Sequence, residues 1–263
     1  MDRETTTSTS TLDLDPCDSV RSERERRQGF AAAGSLEVRW RPRLPTWQPR
    51  VMSLSSPDDL RDCFDQATRR HLVGTLVPGV ELRTATTEEH EAHQDALWTS
   101  ATDRRPPDSR QLFSDADRAR VRALDRLRGG CLEHRLLWCA GDEVIGAYRG
   151  TQEDGGSYLM WNTVVRRDFQ RRGLYRAFLP RLIAAVREVG FRQIHSRHHA
   201  DNNAVLVSKL KAGFVISGFE ISPRDGVLID LRLFLHDGLG KLFAHIVDGS
   251  YAAELRAAGV ALP

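Results

Sequence analysis

The sequence predicts an α/β protein, and three segments carry that prediction. Residues 133–165 read as three successive strands joined by tight turns. Residues 157–197 read as a strand, a basic turn, a long helix and another strand. Residues 214–234 read as a closing hairpin. Period-two and period-3.6 apolar patterns alternate along this stretch, which places helices against a sheet.

Each element has a local cause. Ser56-Pro57-Asp58-Asp59 starts a helix to about His71, with Ser56 as cap and Pro57 at the first position. Val80-Glu81-Leu82-Arg83 alternates as a strand. Thr86-Thr87-Glu88-Glu89 opens a helix whose acidic first turn suits the dipole. A loop follows around Pro106 and Pro107. Ser114-Asp115 then caps a helix that is apolar at Val121, Leu124 and Leu127 and ends at Gly129-Gly130. Strands over Glu133–Ala140 and 144–150 meet at the turn Ala140-Gly141-Asp142-Glu143. A third strand covers 157–165. The helix over 173–189 is apolar at Leu174, Phe178, Leu182, Ala185 and Val189, and Pro180 should bend it. Next come a strand over 191–197, a helix over 203–212, hairpin strands over 214–221 and 227–234, and a C-terminal helix. The apolar stripe of that last helix (Leu239, Leu242, Phe243, Ile246, Val247) reads as intramolecular packing, with a homodimer face as the alternative.

Composition removes several function classes. The 263 residues carry a formal net charge of +2, so there is no global basic signal for nucleic acid. Lysine occurs only at Lys209, Lys211 and Lys241, and the arginines are interspersed with acids, as on solvated mixed-charge surfaces. Cys17, Cys63, Cys131 and Cys139 lack any metal spacing and read as reduced cysteines of a cytoplasmic protein. No apolar run approaches the ~18–20 residues of a membrane span, and the polar N-terminus is unlike a secretory signal.

Residues 1–50 combine a Thr/Ser tract, a mixed-charge run and a Pro/Trp stretch, and are expected to be disordered. They read either as an extension without defined structure, with Met52 as a candidate start, or as a partner-docking segment using Trp40 and Trp47. Residues 51–78 read as a helical lead-in, 79–236 as the main domain and 237–263 as a C-terminal helical extension.

The chemistry concentrates between Val164 and Gly190. An apolar strand ends at Val164 and Val165. Arg166, Arg167, Gln170, Arg171, Arg172 and Gly173 fill a short loop, and a helix begins. Free N–H groups and the positive dipole end of a helix start form an anion site, and arginine suits phosphate. Residues alone therefore predict a phosphate cradle.

Gln170-Arg171-Arg172-Gly173-Leu174-Tyr175 resembles the Q/R-x-x-G-x-G/A signature with which GNAT acyltransferases bind the pyrophosphate of acetyl-CoA. Tyr175 stands where that family has Gly or Ala. A second stretch, Asp201-Asn202-Asn203-Ala204 through Lys211-Ala212-Gly213-Phe214, resembles the family's later N-x-x-A…GF motif. Lys209 there occupies a position that is often Tyr. The element order β-α-α-β-β-β-α-β-α-β-β from about residue 79 is also similar to the GNAT fold over roughly 79–236.

The resemblance implies a central mixed, mostly antiparallel sheet with splayed strands flanked by helices. It implies acetyl transfer from acetyl-CoA, as co-substrate and without metal, to the amine of a small molecule or peptide by direct attack on the thioester. Gln170, Arg171, Arg172, Gly173, Leu174 and Tyr175 would hold the pyrophosphate, Val164 and Val165 the pantetheine arm, and Asn202 would orient that arm or the local loop. A backbone N–H near Val164 or Val165 would polarise the carbonyl. The strand over 191–197 would splay from the strand over 157–165 to make room. The alternative is a catalytically degenerate CoA-binding or partner-binding module.

A base must take the proton of an amine acceptor. His195, Ser196, His198 and His199 lie at the end of the strand near the slot. Alternation sets His198 on the face of Ile194 and Ser196, opposite His195 and Arg197, and His198 is the base expected here. Glu133, His134 and Glu143 are weaker candidates. Lys209 reads as a proton donor to the leaving thiolate, as a phosphate contact or as a solvated helix residue. His90 and His93 lack the H-E-x-x-H arrangement and read as a solvated helix face. His198-His199-x-Asp201 has no third ligand, and Gly238-Leu239-Gly240-Lys241 lacks the full phosphate-loop spacing. The acceptor pocket would come from residues 86–128 and the closing hairpin, where the sequence carries no readable code for acceptor, acyl length or oligomeric state.

Overall fold

The computed structural model describes residues 56–101, 114–127, 129–223 and 225–262. The expectations for residues 1–50, for Met52 and for the loop around Pro106 and Pro107 lie outside the described residues.

Helix α1 (Pro57–Leu72) begins with the cap the sequence signals. The Ser56 hydroxyl accepts from the Asp59 N–H and the Asp59 carboxylate accepts from the Ser56 N–H, each at 3.1 Å. Then come β1 (Gly74–Val77), β2 (Val80–Thr84), α2 (Thr87–Ala101), α3 (Asp115–Leu127), β3 (Glu133–Ala140), β4 (Glu143–Gln152), β5 (Ser157–Val165) and α4 (Leu174–Val189). The chain continues through β6 (Gln193–His199), α5 (Asn203–Lys211), β7 (Val215–Ser222), β8 (Gly226–Phe234), α6 (Asp237–Asp248) and α7 (Ala252–Ala257). Two elements were not expected. β1 has only four residues and α7 six, too short to show a period. Helix α4 runs unbroken through Pro180.

The strands form one eight-stranded sheet in the order β1-β2-β3-β4-β5-β6-β8-β7. Every neighbouring pair is antiparallel except β5 and β6, which are parallel. Side-chain alternation gives the sheet two distinct faces. On the first, Leu136, Trp138, Tyr148, Tyr158, Met160 and Ile194 pack under α4 (Phe178, Leu182, Val186) and α1 (Phe64, Ala67). On the second, Leu137, Ala147 and Val164 pack under Leu97 of α2. Val121 and Leu124 of α3 are more than half exposed, so the period that marks that helix does not mark a core contact. On α6, Phe243 meets Phe234 at 5.2 Å, while Ile246 and Val247 stay exposed.

A chain of buried polar groups ties α1 to the sheet. Thr68 Oγ1 donates to the Phe64 carbonyl at 2.7 Å, so it must accept from His134 Nε2–H at 2.8 Å. His134 Nδ1 then accepts from the Tyr158 hydroxyl at 2.6 Å, and Tyr158 accepts from Tyr148 at 3.1 Å. Each donor has one acceptor, which fixes the tautomer and leaves none of these groups orphaned. His134 is therefore a core residue rather than a candidate base.

Burial pushes the His134 ring down to about 3, against ~6.5 for a free imidazole. The folded value is the depressed one, so below about pH 6.5 the unfolded chain takes up the proton first. Stability then falls as pH drops toward 3, by about 1 kcal/mol per pH unit from this residue. Urea midpoints compared at pH 7 and pH 5 should fall further in the wild type than in a His134→Gln variant. Equal falls would contradict the buried neutral ring.

Candidate functional site

The site is built where β5 parts from β6. Their pairing runs from Ser157↔Gln193 to Met160↔Ser196 and stops. β6 continues along β8 to His199↔Leu228, whereas β5 continues to Val165 paired only with β4. The edge of residues 161–165 toward β6 is thereby left without a strand partner, which is the expected splay. A bulge at Trp161 coincides with the parting: Gly150 pairs with Met160 and Arg149 with Asn162, so Trp161 is the extra residue. A bulge bends its strand and re-aims the side chains beyond it.

The loop after β5 carries the basic turn. Arg171 and Gly173 both have positive φ, 62° and 77°. Glycine adopts that region freely, whereas for arginine it is uncommon and costs about 1 kcal/mol or more. Gly173 precedes α4, and no side chain caps that helix. Its first intrahelical bond in the turn is Ala177 N–H to Gly173 O at 3.0 Å, so the N–H groups of Leu174, Tyr175 and Arg176 have no intrahelical acceptor. Among the described residues, no acidic side chain forms an ion pair with Arg171 or Arg172. Arg166 differs. It is held by Glu143 and Asp168, with hydrogen bonds of 2.6 and 2.8 Å to the latter, and shares the Phe169 ring with Arg172, each 4.7 Å from its centre.

Three sequence candidates have structural duties here. The Gln170 amide donates to the carbonyls of Val165 (2.8 Å) and Ala101 (3.1 Å), pinning the loop to the end of β5 and to α2. That contact occupies the Val165 carbonyl. Tyr175 turns its ring into the core, where burial raises its hydroxyl pKa, so only its backbone faces the turn. This explains how the position tolerates a large side chain. Asn202 caps α5, with Oδ1 accepting from the Val205 N–H at 3.4 Å.

The candidate base lies in a buried network. His198 Nε2 is 2.6 Å from Ser196 Oγ, and the Lys209 ammonium nitrogen contacts Ser196 Oγ, sits 3.2 Å from Met160 Sδ and lies 4.7 Å from the Phe214 ring centre. Lys209 is completely buried, which corrects its reading as a solvated helix residue. Among the described residues no carboxylate pairs with it, and desolvation drives its pKa well below the usual lysine value. Burial and the neighbouring Lys209 push His198 down to about 3. His198 is thus neutral at pH 7 and weakly basic. Its neighbour His199 leaves the same strand end, while His195 lies on the opposite face between Glu153 (3.0 Å) and Asp230 (3.3 Å).

The second face brings Glu133, His90 and Val164 together with Arg135 and Arg149, which the sequence did not single out. Two rows cross it. Leu137, Ala147 and Val164 form the apolar row under Leu97. Arg135, Arg149 and Asn162 form the adjacent polar row. Glu133 pairs with Arg135 (2.7 Å) and Arg149 (2.5 Å). His90, two helical turns before Leu97, sits over this polar row and is 1% exposed. The reading of His90 as a solvated helix residue is corrected; it is buried between α2 and the sheet. Only the row of Cα partners reveals it, and single-sequence periodicity does not supply register.

Residues 91–214 match the family described as Acetyltransferase (GNAT) family. The chain carries a GNAT acetyltransferase domain. No curated protein matches the sequence. Similar solved structures include the ribosomal-protein-S18-alanine N-acetyltransferase from Escherichia coli, at 16% identity and TM-score 0.45, covering 60% of this chain and 94% of that one. The Salmonella typhimurium yncA structure with its cofactor acetyl-CoA is similar at 19% identity and TM-score 0.42, covering 60% and 95%. An N-acetyltransferase from Staphylococcus aureus Mu50 is similar at 18% and 0.42, covering 59% and 98%. The GNAT match begins inside α2, so α1, β1 and β2 lie ahead of it. Among the described residues no helix is long and apolar enough to cross a membrane, and no cluster of three potential ligands could hold a metal ion.

Proposed function

We propose that the chain transfers an acetyl group from acetyl-CoA to an amine. One arrangement carries this reading: β5 loses its β6 partner after Met160, and the same strand leads within ten residues into an uncapped helix N-terminus. The pyrophosphate would sit on the N–H groups of Gly173, Leu174 and Tyr175, with Arg171 and Arg172 beside it. Gln170 would shape this turn from behind. The pantetheine arm would lie along the edge of Val164 and Val165 that β6 leaves open, beside the Val165 carbonyl held by Gln170, and an N–H there would stabilise the oxyanion. Asn202 would act through its cap, by fixing the helix that delivers Lys209.

His198, Ser196 and Lys209 would form a proton path on the first face. Lys209 has no carboxylate to hold it ionised, so a thiolate forming in the slot would draw a proton along this path. A weakly basic His198 fits a neutral link in the path better than a base acting alone on an amine of pKa ~10. Acetyl-CoA supplies the activated acyl group, and the protein positions it.

Calorimetric titration of the full chain with acetyl-CoA and with dephospho-CoA tests the cradle. Micromolar affinity for both is expected, with recognition centred on the pyrophosphate. Gly173→Glu should lower it at least about a hundredfold, by adding negative charge at the helix start and strain at a positive φ, while thermal stability changes little. Nothing within 4 Å of the added Cβ would force the fold to move. Retained micromolar binding in that variant would sink the assignment. CoA binding without thiol release across a broad amine panel would instead favour the non-catalytic module.

A further inference from the structure

The second sheet face leaves two polar atoms buried without a partner, His90 Nε2 and Asn162 Oδ1. Both belong to the polar row. The Tyr148 backbone lies close to the His90 ring, and His90 Nε2 has no partner. Tyr148 adjoins Arg149, and Arg149 is the cross-strand partner of Asn162. Asn162 lies in the stretch of β5 that β6 has abandoned, two residues before Val164 on the same face. Buried acceptors are normally satisfied, and leaving one unmet costs about 1–3 kcal/mol. Two unmet acceptors on one face beside an open strand edge point to a ligand with donors.

We propose that His90 Nε2 and Asn162 Oδ1 form the seat of the acceptor amine, and that the seat takes a weakly basic primary amine arriving uncharged. This rests on the acetyl-transfer reading. A neutral primary amine has two N–H donors for the two acceptors and keeps its lone pair free for the slot. An ammonium has three donors and no lone pair. The local charge is balanced, Arg135 and Arg149 against Glu133 and Glu88, and offers a cationic guest no net attraction. Burial, and after it the same two arginines, lower the His90 pKa, so the ring stays uncharged at pH 7. An α-amine of pKa ~8 is neutral about one time in ten at that pH, a lysine-type amine fewer than about one in a thousand. The class is therefore an α-amino group or an amine of similar basicity. In the reaction the amine lone pair forms the C–N bond and the C–S bond breaks. The surplus nitrogen proton passes to His90 Nε2 and then to solvent, and the thiolate takes a proton as it leaves as CoA.

Long-range 1H–15N spectra of the 15N-labelled full chain test the seat, with alaninamide and butylamine as probes, with and without CoA. The His90 signals are assigned by their loss in His90→Gln. Nε2 should appear unprotonated and unbonded, and should shift on addition of alaninamide, with a weaker response to butylamine at pH 7. Asn162→Ala, which leaves α2 untouched, should weaken alaninamide binding about tenfold, the loss of one hydrogen bond, without changing CoA affinity. A protonated Nε2 in the free protein, or no shift with alaninamide at tens of millimolar, overturns the seat. Calorimetry with CoA reads the cofactor site separately, so either assignment can fail without the other.

Discussion

A Lys209→Met variant is expected to unfold at a higher temperature than the wild type at pH 7. Lys209 is fully buried, and among the described residues its nitrogen meets a hydroxyl, a thioether and an aromatic face. The Phe214 ring returns about 2 kcal/mol at best to a charged lysine, whereas desolvating an unpaired ammonium costs several. Desolvation wins, and the folded amine has a pKa well below the usual lysine value. Between that value and ~10.4, folding releases a proton that the unfolded chain holds. The unfolded state therefore binds more protons, so wild-type stability rises with pH up to about 10. Methionine fills the same space without a charge, and replacing a buried ion by an apolar side chain typically gains about 1–4 kcal/mol. Melting temperatures across pH 6 to 10 should show a gap in favour of Lys209→Met that narrows as pH rises. Thiol release by the same variant should fall. A variant that is less stable, or whose gap ignores pH, would mean that Lys209 is held by interactions other than those described.

Gly150→Ala should be the most damaging single methyl in the sheet. A Cβ there would overlap the hydroxyls of both Tyr148 and Tyr158 and lie 2.8 Å from Tyr158 Cζ. Neither ring is free to swing away. Tyr158 is bound to His134, and Tyr148 packs on Phe178 at 4.8 Å between centroids. Over-packing of this kind costs about 1–3 kcal/mol, and breaking a buried hydrogen-bond chain adds to it. A loss of about 3–4 kcal/mol in chemical denaturation is expected. Combining it with Tyr148→Phe removes one overlapping hydroxyl and should cost less than the sum of the two changes. A Gly150→Ala protein within about 0.5 kcal/mol of wild type would contradict the packing.

Local chemistry made much of this architecture legible. Ser56 and Gly173 each mark a helix start through groups that act within four residues, whereas the cap made by Asn202 was not read from the sequence. The meander and the closing hairpin show through strand alternation, and the splay came from the GNAT resemblance. What escaped needed register. Lys209 and His90 both sit on helices where polar neighbours suggest solvent, yet each faces the sheet. Arg149 and Asn162 become neighbours only once β4 and β5 are paired with the bulge at Trp161 in place. Gln170 belonged to the basic turn in sequence, but its two carbonyl partners lie 5 and 69 positions away, and only the folded chain shows that it ties the loop down.

The hydrogen-bond chain from Thr68 to Tyr148 also sets the limits of what can fold alone. The GNAT match starts at residue 91, but the partner of His134 Nε2 lies 66 positions before that histidine, in α1. A chain cut back to the matched segment would keep every group assigned to acetyl-CoA. It would lose the Phe64 ring stacked 4.1 Å from His134, expose the α4 face that α1 covers, and leave an imidazole N–H facing nothing. The cofactor-binding segment and the autonomous folding segment are thus different lengths of this polypeptide, and deletions between Ser56 and Thr84 would read as losses of activity while touching none of its chemistry.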